Sequence, residues 1–418
     1  MIDMSTNMLY HIRNLDSENV RISRQMATKK EIDNGSENSL LHSNLINLED
    51  KLRISTNLQL QLSKTKVVNT TADTSLADMK KALDKIKVDL LKGLNAGMDR
   101  SDKLALATNL RGIRENMFDL ANANVDGEYV FTGSETTKQT LTKDANFELN
   151  GKLNFGGDGF LRRVAVQPGS YRERGVTAYD VSFYNSTKAG AGESFTFESG
   201  ERIIDENGHE WKLNSAMDKL QQYDHNGLLY DPPVELAVNL VAGTGALGVG
   251  VEATGENQAI KNQFTITNIS TATLGGVANS SVNPDGRVFE AKRNYFDDLN
   301  ITINALEGHS TKLDGTKGGI INDESVRDTV SKGLEQSKKQ YDATNIGHGE
   351  LGGRNAVFNV AHDQLSAQIT HYNILIEETG SADLAKLAME SKALEITYQS
   401  LYSTIAKMNN LSLVNYIK

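Results

Sequence analysis

All four prolines of this 418-residue chain (Pro168, Pro232, Pro233, Pro284) lie between residues 151 and 286, together with the only tryptophan, Trp211, and 19 of the 35 glycines. Proline breaks helices by removing a backbone donor and clashing with the preceding turn, so the two proline-free ends are open to long helices. Their apolar residues recur at intervals of three and four, which is the spacing of one helix face. The first seam holds Met8, Ile12, Leu15, Ile22 and Met26, with Asn19 in the remaining position. A second carries Leu41, Leu45, Leu48 and Leu52 and drifts through Leu58 and Leu62; a third holds Leu76, Met79, Leu83, Ile86 and Leu90. "GLNAGMDRSD" then supplies glycines to stop that helix and Ser101 and Asp102 to cap the next, which reads Leu106, Leu110, Ile113, Met117 and Leu120.

The far end repeats the plan. Phe296, Leu299, Ile303 and Leu306 form one stripe, Val326, Val330 and Leu334 another, and Leu365, Ile369, Tyr372 and Ile376 a third. The last seam is Leu387, Leu394, Tyr398, Leu401, Ile405 and Met408, interrupted by Ser391. A helix from Asp383 to Tyr416 would be roughly 50 Å long at about 1.5 Å per residue, a rod with no core of its own. Narrow stripes on polar helices gain stability only by pairing, either with one another in one self-contained bundle or with other subunits.

The middle reads as β structure. "FELNGKLNF" (147–155) alternates on either side of Asn150-Gly151, the pattern of a tight hairpin, and Asn207-Gly208 between "RIID" and "HEWKL" is a second hairpin, with Asn226-Gly227 a weaker third. "YDVSFYN", "ESFTFES" and "NQFTITN" each alternate over a strand's length. The expected fold class is therefore α+β: long α-helical coiled-coil N- and C-terminal regions packed together, with an inserted β-rich domain whose two ends lie close.

Composition excludes several functions. The formal charge of −10 offers no basic field for nucleic acid or an anionic membrane, and the absence of cysteine removes disulfides and thiolate chemistry. The chain start lacks the layout of a cleavable signal peptide, and no run is apolar enough to span a bilayer, so the protein either stays inside or leaves by a route that reads no such signal. No HExxH, P-loop or GxSxG pattern occurs. His362 and His371 stand about 180° apart on one helix; Asp205, Glu206, His209 and Glu210 crowd a turn that is polar for ordinary reasons. "FGGDGF" and "GTGALGVG" read as β connections and "STATLGGVANSS" as an exposed loop. Neither catalytic residues, cofactor-binding residues nor a metal site emerges, and the chain is expected not to be an enzyme.

Three motifs carry a resemblance. "LANANVDGEYVFTG" (120–133) resembles the Gly-x-Tyr-x-Phe-x-Gly signature of the flagellar hook-associated protein 3 family, here Gly127, Tyr129, Phe131 and Gly133. "GELGGRNAVFN" is similar to the family's Gly-x-x-Gly-x-Arg-x-Asn turn, with Arg354 and, one position closer than in many members, Asn355; "NNLSLVNYIK" is similar to its ending. Flagellins share the plan of helical ends around an insert, but the Tyr-Val-Phe-Thr-Gly signature and the Tyr416 ending look more like the junction protein, and "GSADLAKL" is looser than the flagellin Asp-Ala-Asp pattern. The alternatives kept open are flagellin and an enzyme or carbohydrate-binding module on helical arms.

The resemblance implies a structural subunit at the junction between the hook and the filament of the bacterial flagellum, with no cofactor. It implies residues 1–40 and 383–418 as the halves of an inner coiled coil, 41–140 and 287–382 as a helical domain, and 141–286 as a β-rich outer domain. It implies self-association in a ring, a neighbouring hook-associated protein on one side, flagellin on the other, an export chaperone, and an extracellular location reached by type III export. The narrow seams then predict terminal helices that gain order only when neighbours cover them.

Overall fold

The computed structural model describes residues 2–190, 193, 195–198, 201–216, 218–224, 227–241, 251–252, 263–266, 288–312 and 315–416, leaving aside the side chains of 2–6, 8, 198, 239–241, 251–252, 263–266 and 408–416. Its elements run α1 (Ile2–Thr28), α2 (Ser39–Gly93), α3 (Arg100–Ala121), β1 (Asn124–Val125), β2 (Glu128–Tyr129), β3 (Leu141–Lys143), α4 (Phe147–Asn150), β4 (Leu153–Phe155), β5 (Arg163–Gln167), β6 (Ser170–Glu173), α5 (Ala178–Val181), β7 (Phe183–Ala189) and β8 (Phe195–Glu198). They continue with β9 (Arg202–Asp205), β10 (Glu210–Leu213), β11 (Lys219–Tyr223), β12 (Glu235–Ala237), β13 (Asn239–Val241), β14 (Val251–Glu252), β15 (Gln263–Ile266), β16 (Phe289–Asn294), α6 (Tyr295–Leu306), β17 (His309–Lys312), β18 (Lys317–Ile320), α7 (Asp323–Gly380) and α8 (Leu384–Tyr416). The fold is α+β, with helices at both ends of the chain and the strands between them. It divides into two units, residues 1–60 with 362–418 and residues 61–361.

In the 61–361 unit one core joins α2, α3, α6 and α7. Leu76, Met79, Leu83, Ile86 and Leu90 meet Leu106, Leu110, Ile113 and Met117, Phe296, Leu299, Ile303 and Leu306, and Val326, Val330 and Leu334, all buried. Each such side chain contributes about 1.5–3 kcal/mol when fully buried. Asp99, one turn earlier than the residues expected to cap, closes the start of α3 by accepting from the Asp102 amide at 2.8 Å.

The stripes were expected to mark separate helices, but α2 is one helix of 55 residues and α7 one of 58. The seam does not stop where its apolar residues do. Between Leu62 and Leu76 it passes through buried Thr65, Asn69 and Ala72, and beyond Leu334 through buried Ser337, Gln340 and Thr344 to Leu351. Three- and four-residue spacing persists while the chemistry turns polar, because the donors find partners: Gln340 Nε2 donates to Val181 O at 2.6 Å, Asn69 Nδ2 to Asn355 Oδ1 at 2.6 Å, and Ser337 Oγ lies 2.8 Å from Tyr295 Oη. The expected glycine-arginine turn at 349–355 is likewise overturned, since Gly349, Gly352 and Gly353 lie inside α7 with open space where a Cβ would be.

The largest sheet is ordered β12-β11-β10-β9-β16-β7. β16, the strand that follows residues 141–286, pairs with both β7 and β9 of that segment. Trp211, Phe195, Phe197, Leu220 and Phe289 form its own core. The Asn207-Gly208 hairpin joins β9 to β10 with Trp211 opposite Ile203 and Gly208 at φ +85. Asp205 staples it, accepting from the amides of Asn207 (2.9 Å) and His209 (3.0 Å) and from Trp211 Nε1 (3.0 Å).

Two strand expectations fail. "FELN" is the short helix α4 ended by Gly151 at φ +62, and the hairpin there pairs β3 with β4 instead. Asn300 explains the choice: its amide donates to Asn150 O at 2.8 Å, a contact that the helical turn presents. "YDVSFYN" begins as α5, where Thr177 and Asp180 form a capping box, and only Phe183 onward is strand. "ESFTFES" and "NQFTITN" supply β8 and β15, which pair with each other. In "FGGDGF", Asp158 accepts from the amides of Ser134 and Phe160, both at 2.9 Å, which makes the segment a packed connection. Asn226, "GTGALGVG" and "STATLGGVANSS" lie outside the described residues.

Burial alone would raise the Asp205 pKa, but hydrogen bonds from His209 and Trp211 outweigh it and hold the carboxyl below its usual value. A carboxylate depressed in this way stabilises the fold above its unfolded pKa of about 3.9 and loses that contribution as pH falls through the folded value. Asp205→Ala is expected to cost about 1–3 kcal/mol at pH 7, read from urea unfolding followed by Trp211 fluorescence, with the difference from wild type shrinking below about pH 4.

Candidate assembly interface

In the unit formed by residues 1–60 and 362–418, α1 and α8 lie side by side. Lys30 and Ser381 form an antiparallel bridge, with Glu31 N donating to Gly380 O at 2.7 Å and Ala382 N to Lys29 O at 3.0 Å. Farther along, Arg21 reaches Glu390 at 3.1 Å, and Tyr398 Oη donates to Asp16 at 2.6 Å. As the numbering falls from 30 to 16 on one strand of the pair it climbs from 381 to 398 on the other, so the helices run antiparallel. Partial burial, then the bond to Asp16, pushes the Tyr398 phenol up to about 12.

Burial along this seam is graded. Ile22, Ala382 and Leu387 are buried at 3%, 8% and 4% exposure, with Leu394 packed on them. Ile12, Leu15, Tyr398, Leu401 and Ile405 are only half-buried. Met26, expected on the seam, is exposed; Gln25 takes the place, 4% exposed, its Nε2 donating to Glu31 O at 2.5 Å and its Oε1 accepting from Arg21 at 2.8 Å. Gln25 was invisible to an apolar pattern, although its interval of three from Ile22 fits the seam. The side chains of Met8 and Met408 lie outside those described. Around the pair, Leu9, Tyr10, Val20, Met389, Ile396 and Tyr402 stand at more than half exposure. In the same unit α2 and α7 touch through Gln59 and Ser366 (2.7 Å) and through Gly380 against Leu45.

The signature residues belong to the 61–361 unit and act as pins. Asp126 and Gly127, at φ +53 and +83, make the two-residue turn between β1 and β2, and Tyr129 N donates to Thr136 O at 2.8 Å. Phe131 is fully buried, and its carbonyl accepts from Ala178 N at 2.8 Å. Beside them Glu128 takes Arg162 at 2.8 Å and Arg174 at 3.0 Å. On α7, Arg354 donates to Gly175 O at 2.8 Å and Asn355 accepts from Asn69 of α2 at 2.6 Å. The signature and the terminal seam therefore do different things: the first locks strands and loops onto helices, the second leaves apolar surface uncovered. No group of metal-ligating side chains occurs among the described residues, and no helix there is long and apolar enough to cross a membrane.

Over 141 residues the chain is 27% identical to flagellar hook-associated protein 3 of Salmonella typhimurium, and over 155 residues 24% identical to flagellar hook-associated protein 3 of Escherichia coli. Part of the chain is similar to flagellar hook-associated protein 3. The matched stretches are 32% and 35% of this chain and span about half the length of those relatives, 44% and 48%. No family model matches. Among solved structures, FlgL of Xanthomonas campestris aligns at a TM-score of 0.47 and 15% identity over 79% of this chain and 99% of its own, and a flagellar hook-associated protein of Vibrio parahaemolyticus at 0.49 and 13% over 82% and 100%. Likenesses of that size add no weight.

The two signature glycines are separable by experiment. At Gly133, φ is +80 and an added Cβ would collide with the Asp158 carboxylate and sit 2.6 Å from Asp158 O; at Gly127 it would meet nothing within 4 Å. Gly127→Ala is expected to cost about 1–2 kcal/mol for the left-handed backbone alone, and Gly133→Ala distinctly more, as measured by thermal unfolding.

Proposed function

We propose that this chain is a structural subunit of the bacterial flagellum that forms the junction between hook and filament. The observation that carries the reading is the α1–α8 pair, whose seam is half-covered over most of its length and flanked by exposed Leu9, Tyr10, Ile396 and Tyr402. Two helices so covered gain by associating with others, since each apolar residue removed from water contributes at about 25 cal/mol per Å². The interface residues are Ile12, Leu15, Ile22, Leu387, Leu394, Tyr398, Leu401 and Ile405, with Met8 and Met408 added from their spacing in the sequence and Met26 on the flank.

In this reading copies of the chain assemble into a ring through their terminal helices. A neighbouring hook-associated protein lies on the hook side and flagellin on the filament side. An export chaperone delivers the chain to an extracellular site through type III export. Residues 1–40 and 383–418 line the inside, 41–140 and 287–382 form the surrounding helical layer, and 141–286 project outward. The role is mechanical and non-catalytic.

Deleting residues 384–418, or replacing Leu401 and Ile405 by Asp, is expected to leave a soluble molecule with the Trp211 fluorescence of the folded unit that no longer joins the flagellum. In a deletion strain, electron microscopy is expected to show hooks without filaments, with flagellin released into the medium. Intact filaments in that strain would overturn the junction role, and incorporation of the Asp variant would overturn the interface.

A further inference from the structure

We infer that the base of the terminal pair is a preformed clasp from which α1 and α8 zip outward. The connections set this up. In the unit of residues 1–60 and 362–418, α7 ends against the start of α2, close enough that a Cβ added at Gly380 would lie 3.2 Å from Leu45 Cδ2. Only residues 29–38 separate α1 from α2, and only residues 381–383 separate α7 from α8. The end of α1 and the start of α8 are thus tethered side by side, so closing the first contact between them costs little chain entropy, while each contact farther out closes a longer loop.

What sits at that tethered end is the best-made part of the pair. Its two backbone hydrogen bonds join Glu31 to Gly380 and Ala382 to Lys29. Ile22, Ala382 and Leu387 are its buried apolar contacts. Gln25 locks it, using its side-chain N–H on Glu31 O and its carbonyl on Arg21, which in turn reaches Glu390. Arg24 binds Glu37 at 2.5 Å and Asp33 at 3.4 Å, folding the connecting loop back on α1. Outward of Leu394 the seam is only half-buried, and the described link is Tyr398 to Asp16, an exposed pair. A buried polar group that is fully satisfied fixes register at a cost in stability, and Gln25 is placed to do so where pairing starts. The terminal helices accordingly carry their own register, and neighbours complete the pair without having to choose it.

The purpose of the clasp rests on the assembly role proposed above; its test reads order in the dilute chain. Hydrogen exchange on the full-length protein is expected to show the amides of Glu31, Ala382 and residues 22–28 and 385–391 protected at least tenfold more than those of 9–15 and 401–407. Gln25→Leu, which removes the donor to Glu31 O, is expected to lower protection at Ala382 about tenfold and everything outward with it, while Tyr398→Phe lowers only the outer turns. Unchanged Trp211 fluorescence establishes that the 61–361 unit remains folded in both variants. Uniform protection along the pair, absence of protection at Ala382, or an unchanged Ala382 amide in the Gln25 variant would each overturn the clasp. A gradient that persists in a chain unable to build filaments would refute the assembly role alone.

Discussion

The contact between α2 and α7 is the constraint on which the other elements depend. In the 61–361 unit it holds Asn69 to Asn355 at 2.6 Å and Asp73 to His348, where the imidazole Nε2 lies 2.8 Å from the carboxylate. A seam that mixes leucine with threonine, asparagine, serine and glutamine is weaker per residue than an all-apolar one, but it tolerates fewer registers, because a shift leaves buried donors unpaired. Helices held in one register can then offer fixed anchor points: Gln340 to Val181 O, Arg354 to Gly175 O, and Asn355 to Asn69.

Those anchors explain how a β-rich insert is seated on helices without a large apolar face between every strand and its support. The signature loop enters the core through Phe131, hands its carbonyl to Ala178, and is pinned at Gly133 where no side chain fits. The insert keeps a core of its own around Trp211 and Phe289, and its strands β7 and β9 both pair with β16, the strand that follows it.

The terminal pair follows the opposite logic. It has few buried side chains, a well-bonded base and a long half-covered extension.

The helices, their apolar faces and the Asn207-Gly208 hairpin were legible from the amino-acid order, because helix periodicity and a tight turn are local properties. So was the antithesis between the proline-free ends and the proline-containing middle. The seam residues of α8 from Leu387 to Ile405 could be named from spacing alone. What spacing could not give was the length of α2 and α7, the helical turn at Phe147–Asn150, or Gln25 in place of Met26. Each of those turned on a partner outside the element itself: the Val181 carbonyl for Gln340, Asn300 for the turn at 147–150, and the Glu31 carbonyl for Gln25. Sequence by itself determined which faces shun water, and the tertiary structure alone decided which polar groups could afford to join them, since that depends on a hydrogen bond supplied from elsewhere in the chain.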